Sequence, residues 1–297
     1  MFKYWIYRFG QFWVTHLPLP LSYWLAERVS LFQYYVSFND QRTVKANLRV
    51  IMPGAGRVDY LARDVFCNFG KYLVEFFRMA KEVNETFIRR RVTVKNLERL
   101  ADVLKGGKGA ILLTAHIGNW ELGGVVLSRL GYPALAVALP HKERPVNNLF
   151  NQQREEHGVQ IVPMNLAVRR SLETLSRNKC VALVGDRNFT SGGETLSFLG
   201  RSVSFPPGPA MFSWRTGAPI VPIFMIREKD DRFSLFVEEP IYPPPVERNE
   251  RENGRVRDLM EKYIAVIEQK VRQYPTQWLM FRKFWIDDAD SPKTGGL

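Results

Sequence analysis

A histidine and a glutamate lie at a spacing suited to acid–base chemistry. His116 and Glu121 belong to the segment Gly109–Gly124, in which an apolar run leads into a turn at Gly118 and Asn119. On one continuous helix the two side chains would point about 140° apart and could not meet. A histidine at the end of a strand and a glutamate in the next helix's first turn can face each other. A carboxylate on one imidazole nitrogen fixes the tautomer and leaves the other nitrogen to accept a proton. The pair therefore predicts a general base for a hydroxyl, with a structural hydrogen-bonding histidine as the alternative.

The sequence lacks the motifs of several other catalytic classes. It contains no G-x-S-x-G nucleophile elbow, no G-x-x-x-x-G-K-[ST] phosphate loop, no H-E-x-x-H metal motif and no G-x-G-x-x-G after a strand. Its two cysteines, Cys67 and Cys180, are too few for a disulfide framework or a closed zinc site. We therefore expect no metal ion and no resident cofactor.

The charge balance predicts an anionic partner. The 297 residues include 42 Lys and Arg against 30 Asp and Glu, which gives a formal net charge of +12. Nucleic acid, acidic lipid headgroups and an acidic carrier protein are the partners that such a surface attracts, and a solvated basic surface is the alternative. Aromatic residues make up 13% of the chain, and many lie near the N-terminus beside basic residues. This combination and the lack of a nucleic-acid motif favour lipid.

Residues 1–50 are predicted to form a hydrophobic, aromatic membrane-anchor region. The stretch from Phe9 to Ala26 carries no formal charge, but Pro18 and Pro20 interrupt it and break any continuous helix. A spanning helix needs about 20 mainly apolar residues. We therefore favour a helical anchor lying in the plane of the membrane over a single span, with a packing arm as the alternative.

Residues 51–297 alternate predicted helices and strands. A long amphipathic helix is predicted over Arg57–Val83, and a final helix over Arg255–Gln273 ends before Pro275. Strands are predicted at Gly109–Ala115, Ala134–Leu139, Val159–Pro163, Cys180–Val184, Pro219–Ile226 and Phe233–Val237, with helices near Glu121–Leu130, Pro145–His157, Leu166–Arg177 and Pro209–Thr216. This alternation predicts an α/β domain with a mostly parallel mixed sheet covered by helices.

An ordered set of short motifs carries a family resemblance. The segment His116–Glu121 (HIGNWE) resembles the H-x4-[D/E] motif of the glycerolipid and lysophospholipid acyltransferases. Within that superfamily the chain resembles the bacterial lipid A biosynthesis (late) acyltransferases and the related phosphatidylinositol mannoside acyltransferases. The supporting elements are Arg154 with Gly158, Gly185–Arg187 followed by Phe198–Gly200, Pro206–Ala210, Thr216–Pro219, and Pro275–Trp278 with Arg282–Phe284. Together they extend over most of the chain.

The resemblance implies an activity and a place for it. The activity is transfer of a fatty acyl chain from a thioester, on acyl-carrier protein or coenzyme A, to a hydroxyl of an anionic glycolipid. Its place is the cytoplasmic face of the bacterial inner membrane. By this analogy His116 is the base and Glu121 orients it. The expected substrate-binding residues are Arg154, Asp186, Arg187 and Asn119. Each arginine could instead form a structural ion pair. Asp186 could instead cap a helix or pair in a salt bridge.

Departures from the family pattern leave the acceptor open. The pair Asp186-Arg187 stands where many lipid A enzymes carry Asp-Gln, which favours the phosphatidylinositol mannoside branch. An FPEGTRS-like block is absent, which argues against a glycerol-phosphate acceptor. A thioesterase-like hydrolase and a non-catalytic lipid-binding protein are the remaining alternatives. Release of free fatty acid without an acceptor would indicate the hydrolase.

Overall fold

The N-terminal part of the protein is helical. A computed structural model describes residues 2–138, 143–156, 159–189, 192–245 and 252–286. Its first helices are α1 (Phe2–His16), α2 (Leu19–Val36), α3 (Phe38–Ile51) and α4 (Val58–Glu82). The break between α1 and α2 falls at Pro18, as the sequence predicts, because proline cannot continue a helix but is tolerated at its start. Helix α4 confirms the predicted amphipathic helix.

The remaining elements alternate in the order expected of an α/β domain. The strands are β1 (Val92–Lys95), β2 (Ala110–Thr114), β3 (Ala134–Ala138), β4 (Gln160–Pro163), β5 (Cys180–Val184), β6 (Glu194–Phe198), β7 (Arg201–Phe205), β8 (Ile220–Arg227) and β9 (Phe233–Val237). The helices are α5 (Glu85–Arg91), α6 (Glu98–Lys105), α7 (Trp120–Arg129), α8 (Arg144–Glu155), α9 (Met164–Ser176), α10 (Gly208–Thr216) and α11 (Glu252–Gln273). A short 3-10 turn follows at Pro275–Gln277.

Seven strands form one mixed sheet in the order β1-β9-β8-β2-β5-β3-β4. Neighbouring strands are parallel except for β8 and β9, which are antiparallel. Strand β8 is buried at every position, and β2 at all but its last residue, Thr114. Helices cover strands of this kind on both faces, which is why they are continuous apolar runs in the sequence. The predicted α/β class, with a mostly parallel mixed sheet covered by helices, is confirmed.

Helices α1 to α3 are packed onto the domain. Tyr34 of α2 and Leu48 of α3 belong to the same buried cluster as residues of the sheet. Tyr7 of α1 packs against Phe77 of α4 and Phe150 of α8, with ring centroids 6.2 and 5.4 Å apart. Among the described residues, none of the helices has the length and apolar character needed to cross a bilayer. The domain boundary at residue 50 stays a prediction.

Several elements were not predicted. These are α5, β1 and α6 before the first predicted strand, and the antiparallel hairpin formed by β6 and β7. Strand β1 pairs with β9 at one edge of the sheet. Leu139, His157 and Gly158, which figure in the predicted elements and motifs, lie outside the described residues.

Candidate active site

The parallel pairing of β2 and β5 brings His116 beside Asp186. Thr114 and Val184 are register partners at the carboxyl ends of these strands, so the residues two positions further along lie at the same edge. The Nδ1 atom of His116 is 2.6 Å from Oδ1 of Asp186, and the backbone N–H of His116 donates to Oδ2 at 3.0 Å. In open α/β sheets this edge is the usual place for a ligand.

The Asp186 carboxylate is buried and ionised. Its side chain has no exposed surface, and its Oδ2 atom also accepts a hydrogen bond from Nε1 of Trp278 at 3.0 Å. Burial raises the pKa of Asp186, but the charge and hydrogen bond of His116, with Arg187 and Trp278, outweigh it and hold that pKa well below its usual range. An ionised carboxylate at Nδ1 favours the tautomer with the proton on Nδ1, which leaves Nε2 as the acceptor.

The predicted contact between Glu121 and the imidazole is not made. Glu121, in the first turn of α7, is instead bound by Arg154 of α8, with Nε of Arg154 2.9 Å from Oε2 and Nη2 2.5 Å from Oε1. Both side chains are largely buried, at 12% and 15% exposure. Burial lowers the pKa of Arg154, but Glu121 outweighs this and raises it above the ordinary value. The carboxylate that orients His116 is therefore Asp186, and Glu121 neutralises a buried arginine.

The loop that carries His116 is held against the segment after α11. The backbone O of His116 accepts from the N–H of Leu279 at 2.8 Å, and the N–H of Gly118 donates to the O of Gln277 at 3.0 Å. Gly118 has φ +61°, and a Cβ there would lie 2.0 Å from the backbone O of Met225. Only glycine fits this position without moving the loop.

Asn119 has a structural position rather than a substrate-binding one. It is fully buried, and its Oδ1 atom accepts from the N–H of Leu122 at 2.9 Å as the N-cap of α7. Its Nδ2 atom donates to Oε2 of Glu75 at 2.6 Å. Because both polar atoms are used inside the protein, the expected substrate-binding role of Asn119 is replaced by that of a helix cap.

Comparison with known proteins adds to this geometry. The family model described as bacterial lipid A biosynthesis acyltransferase matches residues 1–286. The chain belongs to this acyltransferase family. It is therefore an acyltransferase, and its family acts in glycolipid biosynthesis.

Individual relatives of this acyltransferase carry two kinds of name. It is 26% identical over 249 residues to the phosphatidylinositol mannoside acyltransferase of Mycolicibacterium smegmatis, and the match covers 82% of this chain and 79% of that protein. It is 25% identical over 274 residues to the Mycobacterium tuberculosis protein of that name, covering 89% and 83%. It is 22% identical over 290 residues to the lipid A biosynthesis palmitoleoyltransferase of Escherichia coli, covering 95% and 91%.

Arg187 gives the acyltransferase a cation beside the His116–Asp186 pair. Its Nη2 atom donates to the backbone O of Leu279 at 2.7 Å, and its buried Nε has no hydrogen-bond partner within the described part of the chain. Burial lowers the pKa of Arg187, a shift that Arg282 adds to and Asp186 opposes. Arg282 is exposed and lies over the ring of Phe189, 5.5 Å from its centroid.

Aromatic rings line the other side of His116. The ring of Trp120 lies 4.8 Å from the imidazole, centroid to centroid, and is stacked on Tyr72 at 4.6 Å. Burial, with Glu121 second, raises the pKa of Tyr72 well above its ordinary value, so its phenol stays neutral. Trp278, which belongs to the last motif of the family resemblance, is buried, and its Nε1 donates to Asp186.

Sequence reasoning missed a buried ion pair next to this site. Glu75 of α4 and Arg227 of β8 are 6% and 5% exposed, and Nη2 of Arg227 lies 2.7 Å from Oε1 of Glu75. A signal for it exists in the sequence, because Glu75 interrupts an otherwise apolar stretch of α4. A charged residue within a buried stripe is rarely left unpaired.

Proposed function

We propose that this acyltransferase moves a fatty acyl chain from a thioester, on acyl-carrier protein or coenzyme A, to a hydroxyl of a glycolipid. His116 is the general base, and Asp186 positions it. The observation that carries the proposal is the 2.6 Å contact between His116 Nδ1 and the buried carboxylate of Asp186 at the carboxyl edge of the sheet.

The chemistry needs no covalent enzyme intermediate. Nε2 of His116 takes the proton of the acceptor hydroxyl as that oxygen forms a bond to the thioester carbonyl carbon. The C–S bond of the tetrahedral intermediate then breaks, and the imidazolium returns the proton to the departing thiolate. The products are an ester and a free thiol. Asp186 stabilises the imidazolium that forms between the two proton transfers.

The arginines have different roles in this proposal. Arg187 and Arg282 are the cations that bind an anionic headgroup or the charge that develops on the thioester oxygen, because Arg187 lies beside the His116–Asp186 pair and Arg282 is exposed. Arg154 is occupied by Glu121, and its contribution is to shape the wall of the site.

The acceptor is proposed as a glycolipid, either a phosphatidylinositol mannoside or a lipid A precursor. Both kinds of name occur among the relatives, and the identity is somewhat higher to the mannoside enzymes than to the lipid A enzyme. The Asp186-Arg187 pair also favours a phosphatidylinositol mannoside as the acceptor.

An exposed aromatic surface supports binding to a membrane. Most of the large hydrophobic side chains exposed in the described chain lie on α1, α2 and the start of α3. We call this surface the N-terminal aromatic face, and its main members are Trp5, Phe9, Phe12, Trp13, Trp24, Phe32 and Phe38. A surface of this kind is typical of a protein that lies in the membrane interface. We place it at the cytoplasmic face of the inner membrane, where thioester donors are available.

A transfer assay with defined substrates tests the activity. Labelled acyl-carrier protein and acyl-coenzyme A are each offered with a phosphatidylinositol mannoside and with a lipid A precursor, and the lipids are analysed by mass spectrometry. The expected product is an acceptor heavier by one acyl chain, made by the wild type and not by His116→Ala. Free fatty acid as the sole product would favour the hydrolase, and lipid binding without turnover would favour the non-catalytic protein.

Point substitutions test the membrane proposal better than a truncation. Deleting residues 1–37 would uncover α4, because Tyr23 and Tyr34 of α2 are buried in the fold. We expect Trp5→Ser/Phe9→Ser/Trp13→Ser to abolish sedimentation with phosphatidylglycerol vesicles while the protein stays folded. The control is Leu166→Ser/Val168→Ser on α9, where the apolar side chains are also exposed. Equal sedimentation of both variants would reject the N-terminal aromatic face as the binding surface.

A further inference from the structure

We propose that Glu75 and Arg227 are positioning residues for the loop that carries His116. Glu75 acts through Asn119, which follows Gly118 in the chain. Arg227 acts through Gln277, whose backbone O accepts from the N–H of Gly118. The inference rests on the proposed function in one respect, which is that His116 is the base whose position matters.

Glu75 gathers donors from three elements. Its Oε1 atom accepts from Nε of Arg227 at 2.7 Å and from the hydroxyl of Tyr23 in α2 at 2.9 Å. Its Oε2 atom accepts from Nδ2 of Asn119 at 2.6 Å. A carboxylate is the one side chain that accepts from all of these at once, because a glutamine would present an N–H to one of them.

The side-chain amide of Asn119 cannot rotate to other partners without losing its hydrogen bonds. Its Oδ1 atom is fixed by the N–H of Leu122, at the start of α7, and this forces Nδ2 to face Glu75. The backbone N–H of Asn119 also donates to the O of Met225 at 2.8 Å. Glu75 therefore sets the position of a residue three places after His116 in the chain.

Arg227 holds the other side of the loop. Its backbone N–H donates to Oε1 of Gln277 at 3.0 Å, and its backbone O accepts from Nε2 of Gln277 at 2.8 Å. The backbone O of Gln277 in turn accepts from the N–H of Gly118 at 3.0 Å. Nη1 of Arg227 donates to Oδ1 of Asn68 in α4 at 2.8 Å. The Glu75–Arg227 pair thus links α4 and β8 to Asn119 and to Gln277, the two residues that hold the turn at Gly118.

A second largely buried ion pair provides a matched control. Nζ of Lys270 in α11 lies 2.6 Å from Oε1 of Glu238, with 8% and 26% exposure. No hydrogen bond joins this pair to residues 115–119 in the described structure. Glu238→Gln therefore removes a counter-charge from a buried cation without touching the His116 loop.

The main test variant is Asn119→Ser. Serine is as good an N-cap as asparagine but is too short to reach Glu75, so the variant keeps the start of α7 and the Glu75–Arg227 pair. A displacement of about 1 Å at a reacting group can cost on the order of 100-fold in rate. We expect kcat to fall by about 10- to 100-fold, with little change in KM for either substrate.

A reciprocal exchange provides the rescue. In Glu75→Gln the new amide N–H faces Nδ2 of Asn119, so two donors oppose each other, and Arg227 loses its counter-charge. We expect the kcat of this variant to fall below that of Asn119→Ser. In Glu75→Gln/Asn119→Asp, the new carboxylate at position 119 caps Leu122 with one oxygen, and its other oxygen accepts from the new amide at position 75. We expect this double variant to recover kcat relative to Glu75→Gln, because donors, acceptors and net charge are restored.

Imidazole nitrogen spectra supply a readout of position. The chain has four histidines, so ¹⁵N-labelling of histidine side chains gives few signals, and His116→Ala assigns the one of interest. We expect the His116 signals to shift in Asn119→Ser and to stay unchanged in Glu238→Gln, which keeps wild-type kcat. A folded Asn119→Ser with wild-type kcat and unshifted signals would overturn the inference. If His116→Ala retained transfer, the proposed function would fail instead.

Discussion

Replacing Asp186 by asparagine changes the tautomer of His116. Oδ2 of Asp186 accepts two N–H groups, from the His116 backbone and from Trp278, so the carbonyl oxygen of an asparagine would stay at that position. Its NH2 group would then face Nδ1 of His116, where Oδ1 now lies 2.6 Å away. Two donors cannot face each other, so the imidazole would move its proton to Nε2 and lose its free acceptor.

The size of the effect follows from this loss. General-base catalysis contributes about 10²- to 10⁴-fold, which corresponds to about 2.7–5.4 kcal/mol of activation free energy. The variant also lacks the charge that stabilises the imidazolium. We therefore expect Asp186→Asn to lower kcat toward the upper end of that range, with KM for acceptor and thioester nearly unchanged.

The assay is acyl transfer under saturating substrates, with circular dichroism to check folding. The matched control is Glu121→Gln. Glu121 is the carboxylate that was predicted from the sequence to contact His116, but in the structure it binds Arg154. The large loss of kcat should occur in Asp186→Asn and not in Glu121→Gln. A folded Asp186→Asn with kcat within about tenfold of the wild type would refute the role of Asp186.

Three further predictions follow from single contacts. Gly118→Ala should lower the free energy of unfolding, measured in urea, by about 2 kcal/mol or more and abolish transfer, because its Cβ would lie 2.0 Å from the backbone O of Met225. Its control is Gly124→Ala, whose Cβ would lie 3.8 Å from the nearest atom, and this variant should be neutral or stabilising. Glu121→Gln should cost about 1–3 kcal/mol by the same measurement, because it leaves Arg154 largely buried without a counter-charge; an unchanged midpoint would contradict this. Folding holds the pKa of Asp186 low, so its stabilisation is present above the unfolded-state pKa of about 3.9 and is lost as pH falls through the folded-state pKa. The stability gap between wild type and Asp186→Asn should therefore narrow below about pH 4, and a gap independent of pH would contradict the ionised state.

Apolar patterning predicted much of the fold. Strand β5 has the limits expected from the sequence, and α4 lies one residue inside them at each end. The hairpin of β6 and β7 was missed because polar side chains alternate with its buried ones. Its turn uses Leu199 at φ +54°, a conformation that leucine rarely adopts and that sequence rules do not anticipate.

The sequence singled out His116 and Asp186 separately but did not predict that they pair. Spacing along the chain linked His116 to Glu121, while the true partner, Asp186, is 70 residues away. Both residues of the observed pair follow the end of an apolar strand by two positions, which is visible in the sequence. The pairing of β2 with β5 is not, because the order of strands in a sheet depends on tertiary packing. Asn119 was placed at the right turn, but the partner of its side-chain NH2, Glu75, lies 44 residues earlier.

The proposed mechanism depends above all on removal of a proton from a lipid hydroxyl by His116. The most direct measurement is the single-turnover rate of transfer from a labelled acyl thioester to a glycolipid, for wild type and for folded His116→Ala. We expect the variant to lose about 10²- to 10⁴-fold in this rate while binding the same lipid with unchanged affinity. A folded His116→Ala that transfers at the wild-type rate would contradict it.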